Sequence, residues 1–232
     1  MSLTERLAEL RHQPTPHRAD PILRRAQQTY EIARWIRSGR EGAAPHLVKQ
    51  RLIRRMARKF DTRVLVETGT YLGDMCIAMR RGFAAIYSIE LDQALHRRAE
   101  LLLAGQPHVT LLRGDSAATL PAVLERIDSP ALFWLDGHYS GGVTARGSVD
   151  YPVIDELCHI GTHRINDHVV LIDDARLFTG GGGTPSLGSV LDAARGALPG
   201  HVVEIRRDVI AVFPARDAPI TPDDDLLPDA AV

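Results

Sequence analysis

Six acids close successive apolar runs along the chain: Glu67, Glu90, Asp115, Asp136 and the pair Asp173-Asp174. A purely structural sheet has no need of an acid at the end of five strands in succession. Carboxylates in such a row accept hydrogen bonds from hydroxyls and amines, or share a cation. Asp136 and Asp173-Asp174 suit the second use. Brought together on neighbouring strand ends without a basic partner, three carboxylates repel and drive their pKa values up. A hard divalent cation removes that conflict. Oxygen-only ligands suit Mg2+ or Mn2+, with waters and substrate oxygens filling the shell. The competing reading makes Asp136-Gly137 a turn and Asp174 a helix cap. His138 lies two residues beyond Asp136. A hydroxyl held by a divalent cation becomes more acidic, and a nearby imidazole can take its proton. His138 is the candidate base, with Asp136 beside it. His163 and His168 read as ordinary surface or loop residues.

A second constellation surrounds Arg63-Val-Leu-Val-Glu67-Thr68-Gly69-Thr70-Tyr71-Leu72-Gly73-Asp74-Met75. It reads as strand, tight loop and helix start. Gly69 and Gly73 let the backbone approach a ligand closely, and the helix opening offers unpaired N–H groups. Glu67 is expected to point an acceptor into the same crevice. A Gly-x-x-x-Gly after a strand also occurs as mere packing. Glu90, at the end of the next strand, can bond both hydroxyls of a ribose. Asp115-Ser116 ends the third strand, where a carboxylate can accept from an exocyclic amine. Gly69, Glu90 and Asp115 together describe an adenosine pocket.

The elements that must position these groups alternate regularly. Strands are expected at 63–67, 85–90, 109–112, 131–136 and 168–173, with helices at about 74–81, 92–104, 117–126, 152–160 and 187–197. Two closing strands, 202–205 and 209–213, are joined by Arg206-Arg207-Asp208, a link too short for a crossover helix, so they form an antiparallel hairpin. Nearly continuous apolar strands imply a parallel sheet covered on both faces. Ligands on such α/β sheets bind outside the carboxyl ends of the strands, where the acids fall.

Two helices precede the first strand, at 22–38 and 45–59. In the second, Val48, Leu52, Ile53 and Met56 line one side and Lys49, Arg51, Arg54, Arg55 and Arg58 the other. The pair is expected to cover the sheet edge, cap the site or join two subunits. An apolar face with Trp35 and Ile36, larger than one sheet edge needs, points to a homodimer contact. The domains are thus a basic helical extension (1–60, with a short helix at 3–11), a ligand-binding domain (61–215) and an acidic tail (216–232) that reads as disordered.

After His138 comes a long Gly-rich loop, 139–151, of a length common in lids and substrate clamps. Tyr139 and Tyr151 are placed to stack on a sugar ring, and Arg146 and Asp150 to bond its hydroxyls. Residues 176–185, beginning with Arg176, close the opposite side. Charge is uneven. Residues 1–60 hold 14 Lys and Arg against 5 acids, and the remainder 14 against 24. A basic arm raises nucleic acid as a partner, but few aromatics accompany the arginines, and pairing with the acidic body explains them better. No apolar run reaches the ~18 residues of a membrane helix, and no apolar signal core opens the chain, so the cytoplasm is the default location. Cys76 and Cys158 read as buried thiols.

The order Glu-x-Gly-x-x-x-Gly, an acid after strand two, Gly-Asp-Ser after strand three, Asp after strand four and a final hairpin resembles class I S-adenosylmethionine-dependent methyltransferases over residues 60–214. Tyr71 stands where many members have a middle glycine, a variant similar to that of small metal-dependent O-methyltransferases. A dehydrogenase would need Gly-x-Gly-x-x-Gly, which this loop lacks. The Asp-Asp after strand five resembles the metal motif of macrolide-sugar O-methyltransferases, and Asp136 matches their first metal aspartate.

The resemblance implies a Rossmann-like, doubly wound, mostly parallel seven-stranded sheet. It implies S-adenosylmethionine on Glu67, Thr68, Gly69, Thr70, Gly73, Asp74, Met75, Glu90, Asp115, Ser116 and Asp136, and a metal on Asp136, Asp173 and Asp174. Transfer would be direct, with no lysine or cysteine nucleophile in the pocket. The Ala- and Arg-rich composition points to a high-GC actinobacterial source. In that setting the overall look is similar to the O-methyltransferases of mycobacterial methylmannose polysaccharide synthesis, which implies a carbohydrate acceptor of the oligomannoside kind, with macrolide or other glycoside sugars next. A catechol-like or protein acceptor, or a non-catalytic adenosyl- or nucleic-acid-binding module, are the alternatives.

Overall fold

The computed structural model describes residues 21–137 and 151–215, with side chains from residue 27 onward. The expected helix at 3–11 and the acidic tail lie outside the described residues. The chain divides into two compact units, Met1–Glu41 and Gly42–Val232. In the first, helix α1 (Pro21–Arg37) is closed by Ser38, whose Oγ donates to the Trp35 carbonyl at 2.8 Å, and by Gly39 and Arg40 at positive φ.

The second unit opens with α2 (His46–Lys59). Strand β1 (Val64–Thr68) and helix α3 (Asp74–Met79) follow, then β2 (Ala85–Glu90), α4 (Gln93–Leu102), β3 (Val109–Arg113), α5 (Ser116–Leu124) and β4 (Ala131–Leu135). Helix α6 (Val153–Gly161) leads to β5 (Val169–Ile172), a 3-10 turn at Ala175–Leu177, α7 (Leu187–Ala197), and the hairpin of β6 (His201–Arg206) and β7 (Val209–Pro214). The sheet order is β3-β2-β1-β4-β5-β7-β6. Strands β1 to β5 are parallel, and β7 runs antiparallel to both β5 and β6. This is the fold class the sequence implies. The order reverses between β1 and β4, and a sheet that winds both ways from such a point opens a crevice there.

The central strands β4, β5 and β7 have no polar face because both their faces are covered. All five residues of β4 are buried, and successive side chains point to opposite layers. Leu132 and Trp134 pack with Leu52, Ile53 and Met56 of α2 and Met75 and Met79 of α3. Phe133 and Leu135 pack with Leu120 of α5, Leu157 of α6 and Val190 of α7. Each such side chain, fully buried, contributes about 1.5–3 kcal/mol. The apolar stripe of α2 therefore lies on a face of the sheet, against β4 and β5. The β6–β7 hairpin turns at Arg207 and Asp208, both at positive φ, as a two-residue turn that matches strand twist requires.

Two expectations need correction. Cys76 is buried, but Cys158 is exposed, because it lies on the outer side of α6 while Leu157 beside it enters the core. His168 is no surface residue; it is fully buried at the start of β5. Its Nδ1 accepts from the Ala131 N–H at 3.1 Å, so the ring proton sits on Nε2, 2.8 Å from His163 Nδ1. The pair ties the starts of β4 and β5 together.

Candidate active site

The Gly69 turn is built by steric necessity. Gly69 has φ +85°, and a Cβ there would lie 2.5 Å from the Asp136 carbonyl oxygen. Only glycine lets the ends of β1 and β4 approach this closely. The Gly69 N–H donates to the Ile89 carbonyl at 2.9 Å, and Thr70 Oγ1 meets Ser88 Oγ at 2.7 Å. Tyr71 also adopts positive φ, +48°. Glu90 Oε2 holds its N–H at 2.7 Å. Gly73, φ +78°, leads into α3, where Asp74 takes the first turn and Met75 turns into the core.

Glu67 does not open into the crevice. The residue is 2% exposed and its carboxylate lies beneath the turn, where Oε2 accepts from Ser88 Oγ at 2.6 Å and Cys76 Sγ at 2.9 Å. Burial pushes its pKa up to about 7, against the opposing pull of those two donors. It buttresses the loop from below. Thr68, also fully buried, lies with Ser116 Oγ under Gly137, within 3.3 Å of where a Cβ on that residue would sit. The same interior holds Glu156 of α6, fully buried. Burial raises its pKa to about 7, with the neighbouring Ser116 and Thr68 hydroxyls opposing.

Glu90 ends β2 with both carboxylate oxygens engaged by backbone, Oε2 by Tyr71 and Oε1 by the Asp92 N–H at 2.8 Å. Burial pushes its pKa up and those N–H groups hold it down. A carboxylate offers about four lone-pair sites, so capacity for hydroxyl donors is left. Asp115 caps α5, its Oδ1 accepting from the N–H groups of Ala117 and Ala118 at 3.0 and 3.4 Å. Ser116 follows as the first residue of that helix.

The acids after β4 and β5 do converge. Leu135 pairs with Thr68 on one side and Ile172 on the other, which sets Asp136 beside Asp173. One oxygen each from Asp136, Asp173 and Asp174 lies within 4.8 Å of the others. An oxygen-only triad of this size fits a hard divalent cation. The expectation that no basic group stands among them is wrong. Lys49 of α2 donates from Nζ to Asp173 Oδ2 and lies 3.3 Å from Asp174 Oδ1. Its side chain is 13% exposed. The helical period puts Lys49 on the polar side of α2, and that side meets the carboxyl edge of the sheet. A lysine is therefore present in the crevice, engaged as an ion-pair partner.

The electrostatics follow from burial and from this cation. Burial, then the charge of Asp173, raises the Asp136 pKa well above the carboxylate range, with Lys49 opposing. Burial also raises Asp173, and Lys49 holds it down. Burial works against the Lys49 ammonium, but Asp173, Asp174 and Asp136 outweigh it, so its pKa is above the ordinary lysine value. Asp174 is itself held in the left-handed region, φ +54°, with Arg176 Nη1 2.7 Å from its Oδ1. Arg176 also donates to Asp208 Oδ2, and its N–H to Asp208 Oδ1 at 2.8 Å. The turn of the last hairpin thus locks the loop after β5.

Tyr151 borders the same edge. Its ring lies 6.3 Å from Phe178, and both line a cavity of about 20 Å³ with Gly137, Glu156 and Asp173. His138, Tyr139, Arg146 and Asp150 lie outside the described residues. Lys49, Ser88, Glu156 and Asp208 are the site residues that sequence reasoning missed. Only Lys49 carried a signal, a lysine on the face of α2 whose other charged residues are mainly arginines.

No protein-family model matches this chain, and no curated protein matches it. Solved structures do. An O-methyltransferase from Bacillus cereus in complex with SAH superposes with a TM-score of 0.54 at 10% identity, over 80% of this chain and 90% of that one. The O-methyltransferase TomG from Streptomyces achromogenes, involved in tomaymycin synthesis and in complex with SAM, gives 0.52 at 15% identity, over 92% and 100%. The SAH-bound Podospora anserina methyltransferase PaMTH1 gives 0.51 at 14%, over 82% and 86%. At these identities the likeness is one of fold: the chain has the methyltransferase fold.

Proposed function

We propose that this chain is a divalent-metal-dependent O-methyltransferase. It carries a methyl group from S-adenosylmethionine to a hydroxyl of a carbohydrate, an oligomannoside first among the candidates, with Mg2+ or Mn2+ as the metal. The observation that carries this reading is the convergence of Asp136, Asp173 and Asp174 directly across the sheet's switch point from the Gly69 turn. Gly69 and Asp136 are in backbone contact. A donor on one strand end and an acceptor on the next are then neighbours.

On this reading the loop from Thr68 to Met75 takes the methionine portion, with Glu67 beneath it. Glu90 takes the ribose, and Asp115 and Ser116 the adenine. Asp136, Asp173 and Asp174 would hold the cation, which makes an acceptor hydroxyl more acidic. His138 takes the hydroxyl proton. The oxygen then forms its bond to the methyl carbon as the bond to sulfur breaks, and the electron pair stays on sulfur. Tyr139, Arg146, Asp150, Tyr151 and Arg176 shape the acceptor side. Much of the rate comes from proximity and orientation. A homodimer contact through α1 and a cytoplasmic location complete the proposal; solution mass by light scattering tests the first.

The test is a mass-spectrometric transfer assay with S-adenosylmethionine and a panel of mannosides, other glycosides and catechols, with Mg2+ and with chelator. The expected result is a one-methyl gain on a sugar in Mg2+ alone. Gain that survives chelation removes the metal from the proposal. Gain on catechols only replaces the acceptor class. No gain, with SAH still bound, turns the reading toward a non-catalytic adenosyl-binding module.

A further inference from the structure

Lys49 is the charged group in the crevice that the reaction as proposed does not use. Its Nζ bonds Asp173 and lies 3.3 Å from Asp174, and Asp136 adds its charge to the same ammonium. All three carboxylates that would ligate a divalent ion therefore already face a cation. The side chain is held from its base. Val48, Leu52, Ile53 and Met56 are buried on either side of it along α2, against β4 and β5. The two aspartates are as fixed. Asp173 N–H bonds the Leu135 carbonyl, and Asp174 is held by Arg176. The contact spans rigid elements and is no chance meeting of surface side chains.

We propose that Lys49 is a tethered cation that occupies the divalent-ion position among Asp136, Asp173 and Asp174, so that metal enters only by displacing the ammonium. This rests on the metal-site reading above. The physical reason is charge. Three converging carboxylates, one buried and two half-buried, left without a cation carry a desolvation and repulsion cost. The lysine removes part of it, and a divalent ion must compete with a partner that is covalently attached. Displaced from the carboxylates, the ammonium meets no second acid in the small cavity beside it. Ala44, Val48, Leu52, Arg206, Arg207 and Val209 line that space with the lysine stem, and none of them is an acid. The lysine is thus a positioning residue that keeps the metal-free site assembled and sets how much metal is needed to fill it.

The experiment is a Mn2+ titration of the full-length protein, read by electron paramagnetic resonance of free Mn2+. Wild type is compared with Lys49→Met, which keeps the apolar stem, and Lys49→Gln, which keeps a donor. Both variants should bind Mn2+ roughly 10-fold more tightly or better, the scale on which groups around a ligand set tune metal affinity. Their metal-free melting temperatures should fall below wild type and recover in Mn2+. If Lys49→Met fails to fold without metal, Lys49→Gln carries the comparison. Equal or weaker Mn2+ affinity in the variants overturns the proposal. So does the absence of Mn2+ binding in all three proteins, which also removes the metal from the proposed function. An SAH titration on the same samples reports separately whether the cofactor reading stands.

Discussion

The Glu90 carboxylate holds the Tyr71 N–H at 2.7 Å, so the residue placed to read a ribose also fixes the loop beside it. The two duties predict a double loss in Glu90→Gln. An amide presents one acceptor and one donor where two backbone N–H groups now need acceptors. A hydrogen bond to a charged group is worth about 1.5–3 kcal/mol, so the Kd for SAH should rise roughly 10-fold to 100-fold, with a modest fall in melting temperature. Calorimetric titration decides. A lower melting temperature with unchanged SAH affinity would leave Glu90 as a loop clamp alone.

Gly69 and Gly73 share a positive φ but not a consequence. A Cβ at Gly69 meets backbone, the Asp136 carbonyl oxygen at 2.5 Å, whereas one at Gly73 meets the end of the Leu102 side chain at 3.2 Å. Backbone in a central sheet cannot yield cheaply, and a leucine tip can. Gly73→Ala should cost about 1–2 kcal/mol, the price of the left-handed region for a residue with a Cβ. Gly69→Ala should cost more than about 3 kcal/mol, beyond the usual range for a point change, and should lose SAH binding. Urea midpoints of the two variants measure the difference, and equal midpoints would mean that β1 and β4 are not locked at this contact.

The sheet was legible because its strands are covered on both faces, and apolar runs such as Ala131–Leu135 admit few other readings. The acid cluster was legible for a related reason. Acids that close consecutive strands must share one edge, so Asp136 and Asp173 had to meet. Lys49 was not legible. A helical period tells which side of α2 is polar, but not that this side borders the carboxyl edge of the sheet. The Asp208–Arg176–Asp174 chain was hidden likewise, because a hairpin turn gains its partners only when β7 settles beside β5. Glu67 read as a ligand-facing acid because strand alternation gives a face and says nothing of Cys76 and Ser88 waiting beneath. The residues proposed on the loop after Asp136, namely His138, Tyr139, Arg146 and Asp150, rest on the sequence alone.

The two cysteines should behave as different chemical species. Cys158 is exposed, while Cys76 is buried. Burial, and then the charge of Glu67, pushes the Cys76 thiol well above its ordinary pKa. The thiolate is the reactive form. Native protein should therefore release about one equivalent of chromophore from a disulfide reagent at pH 8, and two in denaturant, a count set by thiolate access. Cys158→Ser should abolish the native reaction. A fast second equivalent in native protein would mean that the layer under the Gly69 turn opens readily.

The histidine pair at the opposite end of the sheet predicts how stability follows pH. Burial, then the neighbouring His163 and His201, lowers the His168 pKa from 6.5 to about 4. The unfolded chain then binds a proton at His168 between these values while the folded chain does not. Stability from this group is complete above about pH 6.5 and is lost as the pH falls toward 4. At about 1.4 kcal/mol per unit, the loss reaches at most about 3 kcal/mol. Glu67 and Glu156, each raised to about 7, act with the opposite sign over part of the range. They are present in both proteins of a comparison and so cancel. In His168→Asn the side-chain oxygen can still accept from the Ala131 N–H, but nothing there titrates. Urea denaturation at pH 7 and pH 4.5 should show wild type losing about 1–3 kcal/mol more than His168→Asn over that interval. Parallel losses would mean that the folded protein accommodates protonated His168, with the Ala131 N–H moving away from the new Nδ1–H.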